Sequence, residues 1–143
     1  MISRKYNLKF LSSGLLYRYA SFLILKHKPK NYNKFLKIEF KNLNYKSLKK
    51  INLHTPRVSE FSAVIAKKDS VRKILKKFQI NFSKKNKNCC IEGRDISTKI
   101  LPNSDLKFFF VCNINTAALR RYKELKKTSK KIKLNDVKQA LRA

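Results

Sequence analysis

The residues best placed to do chemistry lie in Cys89-Cys90-Ile91-Glu92-Gly93-Arg94-Asp95-Ile96-Ser97-Thr98, followed by Lys99-Ile100-Leu101-Pro102. A short apolar run that stops at glycine reads as a buried strand. Arg94 and Asp95 then stand at its C-terminal end, where open α/β sheets hold their ligands. Two of the chain's eight acidic residues fall in those first ten positions. In a chain otherwise full of lysine, a carboxylate beside an arginine at a strand end suits hydrogen-bonded recognition of a polar group. The plain structural alternative is an ion pair on a loop.

Other candidates are arginines near helix starts. Ser12-Ser13-Gly14 precedes Leu15, Tyr19 and Leu23 at helical spacing, so a helix begins there and Arg18 lies one turn inside it. Thr55-Pro56 opens a second helix with Val58, Phe61 and Ile65 as its apolar face. After Asp69-Ser70 a third has Val71, Ile74, Leu75, Phe78 and Phe82 at helical spacing. Arg72 sits in its first turn, where free N–H groups and the helix dipole favour an anion.

The remaining elements frame these residues. Met1 to Tyr6 reads as the tail of a helix, and Leu8-Lys9-Phe10-Leu11 as a short strand. From Lys26 to Lys50 the periodicity is poor and Lys and Asn dominate, so this stretch reads as a peripheral, irregular insert. One alternating segment in it, Leu36-Lys37-Ile38-Glu39-Phe40, is a candidate strand. Leu106 to Cys112, with three Phe, reads as a second fully buried strand. Asn115 is expected to cap a helix with Ala118, Tyr122 and Leu125 inward and Arg120 and Arg121 near its middle. Thr128 to Lys133 reads as a basic turn, and Leu134, Val137 and Leu141 start a last helix. Strands alternating with helices predict an α/β sheet with crossover helices.

Composition narrows the class. At 143 residues the chain suffices for one domain and one core. A net charge of +28 normally points to nucleic acid or an anionic membrane. Of the 36 basic residues, however, only eight are Arg, and a Lys, Asn and Ile excess also arises from AT-rich coding sequence. Cys89, Cys90 and Cys112 form no disulfide framework and no zinc spacing, which fits a reducing, cytoplasmic compartment. The apolar stretch from Leu15 to Leu25 carries Tyr17 and Arg18 and is far shorter than the ~20 residues of a membrane span.

Ile91-Glu92-Gly93-Arg94-Asp95-Ile96-Ser97-Thr98, Leu101-Pro102-Asn103-Ser104-Asp105-Leu106-Lys107 and Arg120-Arg121-Tyr122-Lys123-Glu124-Leu125 together resemble the bacterial cytidylate (CMP/dCMP) kinase family. That family carries, in this order, Gly-Arg-Asp-Ile-Gly-Thr, Phe-Pro-Asp-Ala-x-Leu-Lys and Arg-Arg-Tyr-Lys-x-Leu. Upstream, Leu11-Ser12-Ser13-Gly14-Leu15-Leu16-Tyr17-Arg18 is similar to its Leu-Asp-(Ser/Thr)-Gly-Ala-x-Tyr-Arg, and Val71-Arg72 with Gln79 to its Val-Arg…Gln helix.

The resemblance implies the parallel-sheet core of a P-loop nucleoside-monophosphate kinase, which moves the γ-phosphoryl group of Mg²⁺-ATP to CMP or dCMP. Carried over by position, Arg18 and Arg94 would hold the acceptor phosphate, Arg72 and Asp95 would read the cytosine edge, and Ser13 would line the same pocket. Arg94 would also act on the reacting phosphoryl. Arg120 and Arg121 would face ATP or the transferring group. Guanidinium forks match phosphate oxygens, and a carboxylate accepts from an exocyclic amino group. Such an enzyme needs positioning and charge neutralisation rather than a nucleophile or a His base, and neither His27 nor His54 has a triad-like partner. No residue is expected to bind metal directly.

The resemblance implies a single domain over 1–143: a monophosphate-binding region at 14–84 with the Lys/Asn-rich insert near 26–50, core strands and a helix at 88–127, and the start of a lid at 128–143. There are departures. Gly14 and Gly93 are the only glycines, so no Gly-rich phosphate loop can be written from this chain. Ser97 replaces a family Gly, and Ala63 stands where a base-contacting Ser is expected, with Ser62 next to it. The sequence is therefore expected to be a piece of a longer kinase, lacking the first strand and the P-loop and inactive by itself. A cytoplasmic monomer with no membrane and no specific nucleic-acid partner is expected. The alternatives are a basic nucleic-acid-binding protein and a non-catalytic kinase relic.

Overall fold

The computed structural model describes residues 2–126 and 132–142, which fall into two compact units, Met1–Asp105 and Leu106–Ala143. The first unit contains helix α1 (Ile2–Lys5), strand β1 (Lys9–Ser12), helices α2 (Ser13–His27) and α3 (Tyr32–Lys41), and a 3₁₀ turn over Tyr45–Lys50. Helices α4 (Pro56–Ala66) and α5 (Asp69–Lys85), strand β2 (Cys89–Glu92) and a π-helical turn over Ile96–Ile100 complete it. The second contains α6 (Ile114–Lys126) and α7 (Leu134–Arg142).

Strands β1 and β2 pair in parallel with Lys9 opposite Cys89 and Ser12 opposite Glu92. The architecture is α/β, with everything between residues 12 and 89 acting as the crossover. Local signals in the sequence set the helix starts. The Ser12 side chain accepts from the Leu15 N–H to cap α2, and Thr55 accepts from the Val58 N–H to cap α4, with Pro56 in its first turn. Helix α2 ends on Lys28, whose backbone is left-handed at φ 44°, ψ 50° and whose N–H reaches the Ile24 carbonyl at 2.9 Å.

The core gathers Leu11 from β1, Leu16, Ala20 and Leu23 from α2, Ile65 from α4, and Val71, Ile74 and Leu75 from α5. It also takes Leu36 and Phe40 from α3 and Leu48 from the 3₁₀ turn, which corrects the reading of residues 26–50 as a peripheral, irregular insert. Nor is Leu36–Phe40 a strand. Asn31 caps the helix by accepting from the Lys34 N–H. Leu36 and Phe40 are buried while Ile38 is 53% exposed, so the helical period takes precedence over the alternating one. Burying an apolar face against α5, with Phe40 edge-on to Phe78 at 5.8 Å, stabilises the helix far more than local propensity does.

Leu106–Cys112 is the second correction, because it forms no strand. Leu106, Phe108, Phe109, Phe110 and Val111 are 62–88% exposed. A strand needs a neighbour for its N–H and C=O groups, and among the described residues the only ladder is β1 with β2. Strand β2 is also less buried than its apolar run suggests, with Cys89 and Cys90 half-buried, and Cys112 is exposed. Burial still pushes the Cys89 thiol up from its ordinary range. In the second unit Ala118 and Val137 are buried, and the first turn of α6 is capped two residues earlier than expected, by Asn113, whose side chain accepts from the Asn115 N–H. The expected basic turn at 128–133 lies mostly outside the described residues.

Candidate functional site

The parallel register sets Ser12-Ser13 beside Glu92-Gly93, so the carboxyl ends of both strands lie abreast, at the edge where such sheets hold ligands. The two chain segments approach closely enough there that glycine is required. A Cβ at Gly93 would lie 2.8 Å from the Ser13 Cβ and 2.9 Å from the Ile96 Cγ1. Ser13 is thereby held against the turn that carries Arg94 and Asp95.

Helix α5 supplies the other half. Arg72 Nη2 donates to Asp95 Oδ2 at 2.7 Å, and its Nη1 reaches the Ala66 carbonyl at 3.5 Å. The bond to Asp95 pushes the Arg72 guanidinium further into its charged form. Both side chains keep more than a third of their surface open, 38% and 37%, so the pair faces solvent and a ligand can reach it. Tyr17 on α2 belongs to the same electrostatic environment: burial chiefly raises its phenol, Asp95 adds to that and Arg72 opposes it.

Arg18, expected on the acceptor phosphate, pairs with His54 at 2.9 Å, Nη1 to Nδ1. A guanidinium can only donate, so Nδ1 is the acceptor and the neutral imidazole carries its proton on Nε2. No spacing in the sequence signals this partnership across 36 positions; the one available hint is a histidine directly before the Thr-Pro helix start. Arg94 is exposed and makes no hydrogen bond or ion pair among the described residues. Ser62, next to the position where the family resemblance expects a base-contacting serine, turns its hydroxyl onto the Ser59 carbonyl at 2.7 Å.

A second contact that the sequence does not suggest steadies the strand end. The Ser12 N–H donates to the Tyr45 hydroxyl at 2.7 Å, and burial raises that phenol. In the second unit, Arg121 pairs with Glu124 at 3.1 Å, and Arg120 donates to the Cys112 sulfur at 3.9 Å. The described residues include no group of three or more His, Cys, Asp or Glu side chains suited to holding a metal ion. No helix among them is long and apolar enough to cross a membrane.

The fold is thus an α/β one whose parallel strand pair carries Arg94 and the Arg72–Asp95 pair at its C-terminal edge. The sequence model of the cytidylate kinase family matches residues 1–143, and the chain belongs to that family. It is 34% identical over 127 residues to the cytidylate kinase of Bartonella tribocorum, covering 88% of this chain and 59% of that protein. The cytidylate kinase of Mesomycoplasma hyopneumoniae is 32% identical over 142 residues, with 86% and 59% covered. That of Rickettsia canadensis is 30% identical over 149 residues, with 99% and 64% covered. The chain thus spans about three fifths of the length of the curated relatives it matches.

Proposed function

We propose that this chain is the acceptor-binding part of a CMP/dCMP kinase, working in the transfer of the ATP γ-phosphoryl group to CMP or dCMP. The observation that carries the reading is the Arg72–Asp95 pair at the sheet edge. Asp95 keeps one carboxylate oxygen outside that hydrogen bond, able to accept from the exocyclic amino group of cytosine, while Arg72 fixes the carboxylate plane. Arg94, without a hydrogen bond or ion pair among the described residues, and Arg18, steadied on one side by His54, are assigned as the phosphate ligands. Ser13, in close approach to Gly93, is assigned to the same acceptor site.

Phosphoryl transfer needs alignment and charge neutralisation more than covalent chemistry, so a site of guanidinium groups with no nucleophile suits it. Arg94 is the group we assign to the reacting phosphoryl, and Arg120 and Arg121 to the ATP side. Arg121 would exchange Glu124 for phosphate. Mg²⁺ would enter with ATP, bridging its phosphates and neutralising their charge. With Gly14 and Gly93 its only glycines, the 143-residue chain is expected to bind CMP without turning over ATP. We read it as part of a cytoplasmic, monomeric kinase.

Calorimetry tests the reading directly. CMP should bind this chain, Asp95→Ala and Arg72→Ala should each weaken it at least ten-fold, and cytidine should bind more weakly than CMP by the share of Arg18 and Arg94. A chain that binds CMP no better than a chloride control, or that is indifferent to both substitutions, overturns it.

A further inference from the structure

Lysine is not spread evenly over the first unit. Helices α2 and α4, of 15 and 11 residues, pack against each other and hold one lysine between them, Lys26. Helices α3 and α5, of 10 and 17 residues, also pack against each other and hold eight. Exposure explains α2, which turns only Gly14, Lys26 and His27 to solvent, but not α4, which turns Arg57, Glu60, Ala63 and Val64 outward with no lysine among them. A coding bias toward lysine acts on every exposed position alike, so it does not account for a helix pair that is loaded beside an α4 that is not.

The lysines of the loaded pair form stripes. Lys34, Lys37 and Lys41 recur at three- and four-residue steps along the solvent side of α3, opposite the buried Leu36 and Phe40. Lys73, Lys77 and Lys84 follow at four- and seven-residue steps on α5, opposite Val71, Ile74 and Leu75. Both faces run on one packed support, joined at Phe40 and Phe78. The one arginine on these helices, Arg72, is turned away to Asp95, and Glu39 on α3 and Asp69 at the start of α5 are their only acidic residues.

We propose that the α3–α5 face is a binding surface for the phosphate backbone of double-stranded nucleic acid, separate from the acceptor site. Lysine ammonium groups contact phosphate as point charges and carry no base readout, so the binding is independent of sequence. No aromatic ring on α3 or α5 is among the exposed large side chains, which leaves no platform for stacking unpaired bases and favours a duplex over a single strand. A membrane surface fits less well. An interfacial helix needs a free apolar face, whereas α3 and α5 commit theirs to the core, and Ile38 is their one exposed large apolar residue. With 17 residues, α5 runs about 25 Å, the length of roughly seven base pairs.

The test is the salt dependence of binding to a labelled mixed-sequence DNA duplex, read by fluorescence anisotropy on the 143-residue chain. The triple variant Lys37→Gln, Lys41→Gln, Lys77→Gln should reduce the slope of log K against log salt by about 2 to 3, close to the 0.9 expected for each phosphate no longer neutralised. A control removing the same charge elsewhere, Lys9→Gln, Arg57→Gln, Lys67→Gln, should change it by less than about 1. Equal reductions in the two variants would show that net charge alone is at work and overturn the proposal. So would an unchanged slope in the first variant, or vesicles of anionic lipid outcompeting the duplex. Neither triple variant touches a residue assigned to CMP, so CMP affinity should be unchanged in both, and failure of the acceptor-site reading leaves this result standing.

Discussion

Arg72 and Asp95, 23 positions apart, meet at 2.7 Å and tie the first turn of α5 to the exit of β2. With both side chains over a third exposed, such a pair contributes at most about 0.2–1 kcal/mol to folding, so its effect falls on ligand alignment rather than stability. Asp95→Asn should leave the thermal midpoint within a few degrees of the parent, while CMP affinity drops at least ten-fold in a titration. A variant that unfolds instead would assign the pair a structural role.

His54 holds Arg18 from one side, and only an acceptor at that point can do so. His54→Leu should lower CMP affinity several-fold while leaving cytidine affinity unchanged, because the loss falls on the phosphate. His54→Gln, whose side-chain oxygen can accept, should restore part of it. Nitrogen chemical shifts of the imidazole should report the proton on Nε2, and Arg18→Met should change them even without nucleotide.

Gly93 has no room for a side chain between Ser13 and Ile96. Gly93→Ala forces the strand ends apart and should destabilise the fold by about 1–3 kcal/mol, seen as a lower denaturation midpoint. CMP binding should fall with it, since Ser13 and Arg94 flank the contact.

Burial raises the phenols of Tyr17, Tyr19 and Tyr45 above their ordinary value of 10.0. A raised folded value favours the protonated form, so the stability linked to these groups is complete below pH 10 and is lost as pH climbs through the raised values. Base titration followed by tyrosinate absorbance and by circular dichroism should show ionisation of these three arriving together with unfolding. The Tyr45→Phe variant, which cannot bond the Ser12 N–H, should unfold more readily even at neutral pH.

The caps at Ser12 and Thr55 and the apolar face of α5 are legible in sequence because they depend on residues within a turn or two of each other. Helix α3 is not, since Leu36, Ile38 and Phe40 satisfy an alternating pattern as well as a helical one, and only the core decides which is used. Residues 106–112 mislead for a related reason: an apolar run states a wish for burial, while a strand is made by a neighbour. In the site, Asp95 and Arg72 are named through resemblance, whereas His54 and Tyr45 act through contacts 36 and 33 positions distant that no spacing announces.

The left-handed residues Lys28 and Asn7 occupy positions usually filled by glycine, which this chain almost lacks. A side chain there strains the native backbone, yet it also restricts the denatured ensemble, so the two effects oppose each other. Lys28→Gly should therefore change stability by well under about 1 kcal/mol, the relief of strain being offset by a freer unfolded chain. Lys28→Asn, which tolerates the left-handed region and keeps its Cβ, should do better than glycine. A glycine-poor polypeptide of this kind derives part of its persistence from how little disorder it can gain by melting.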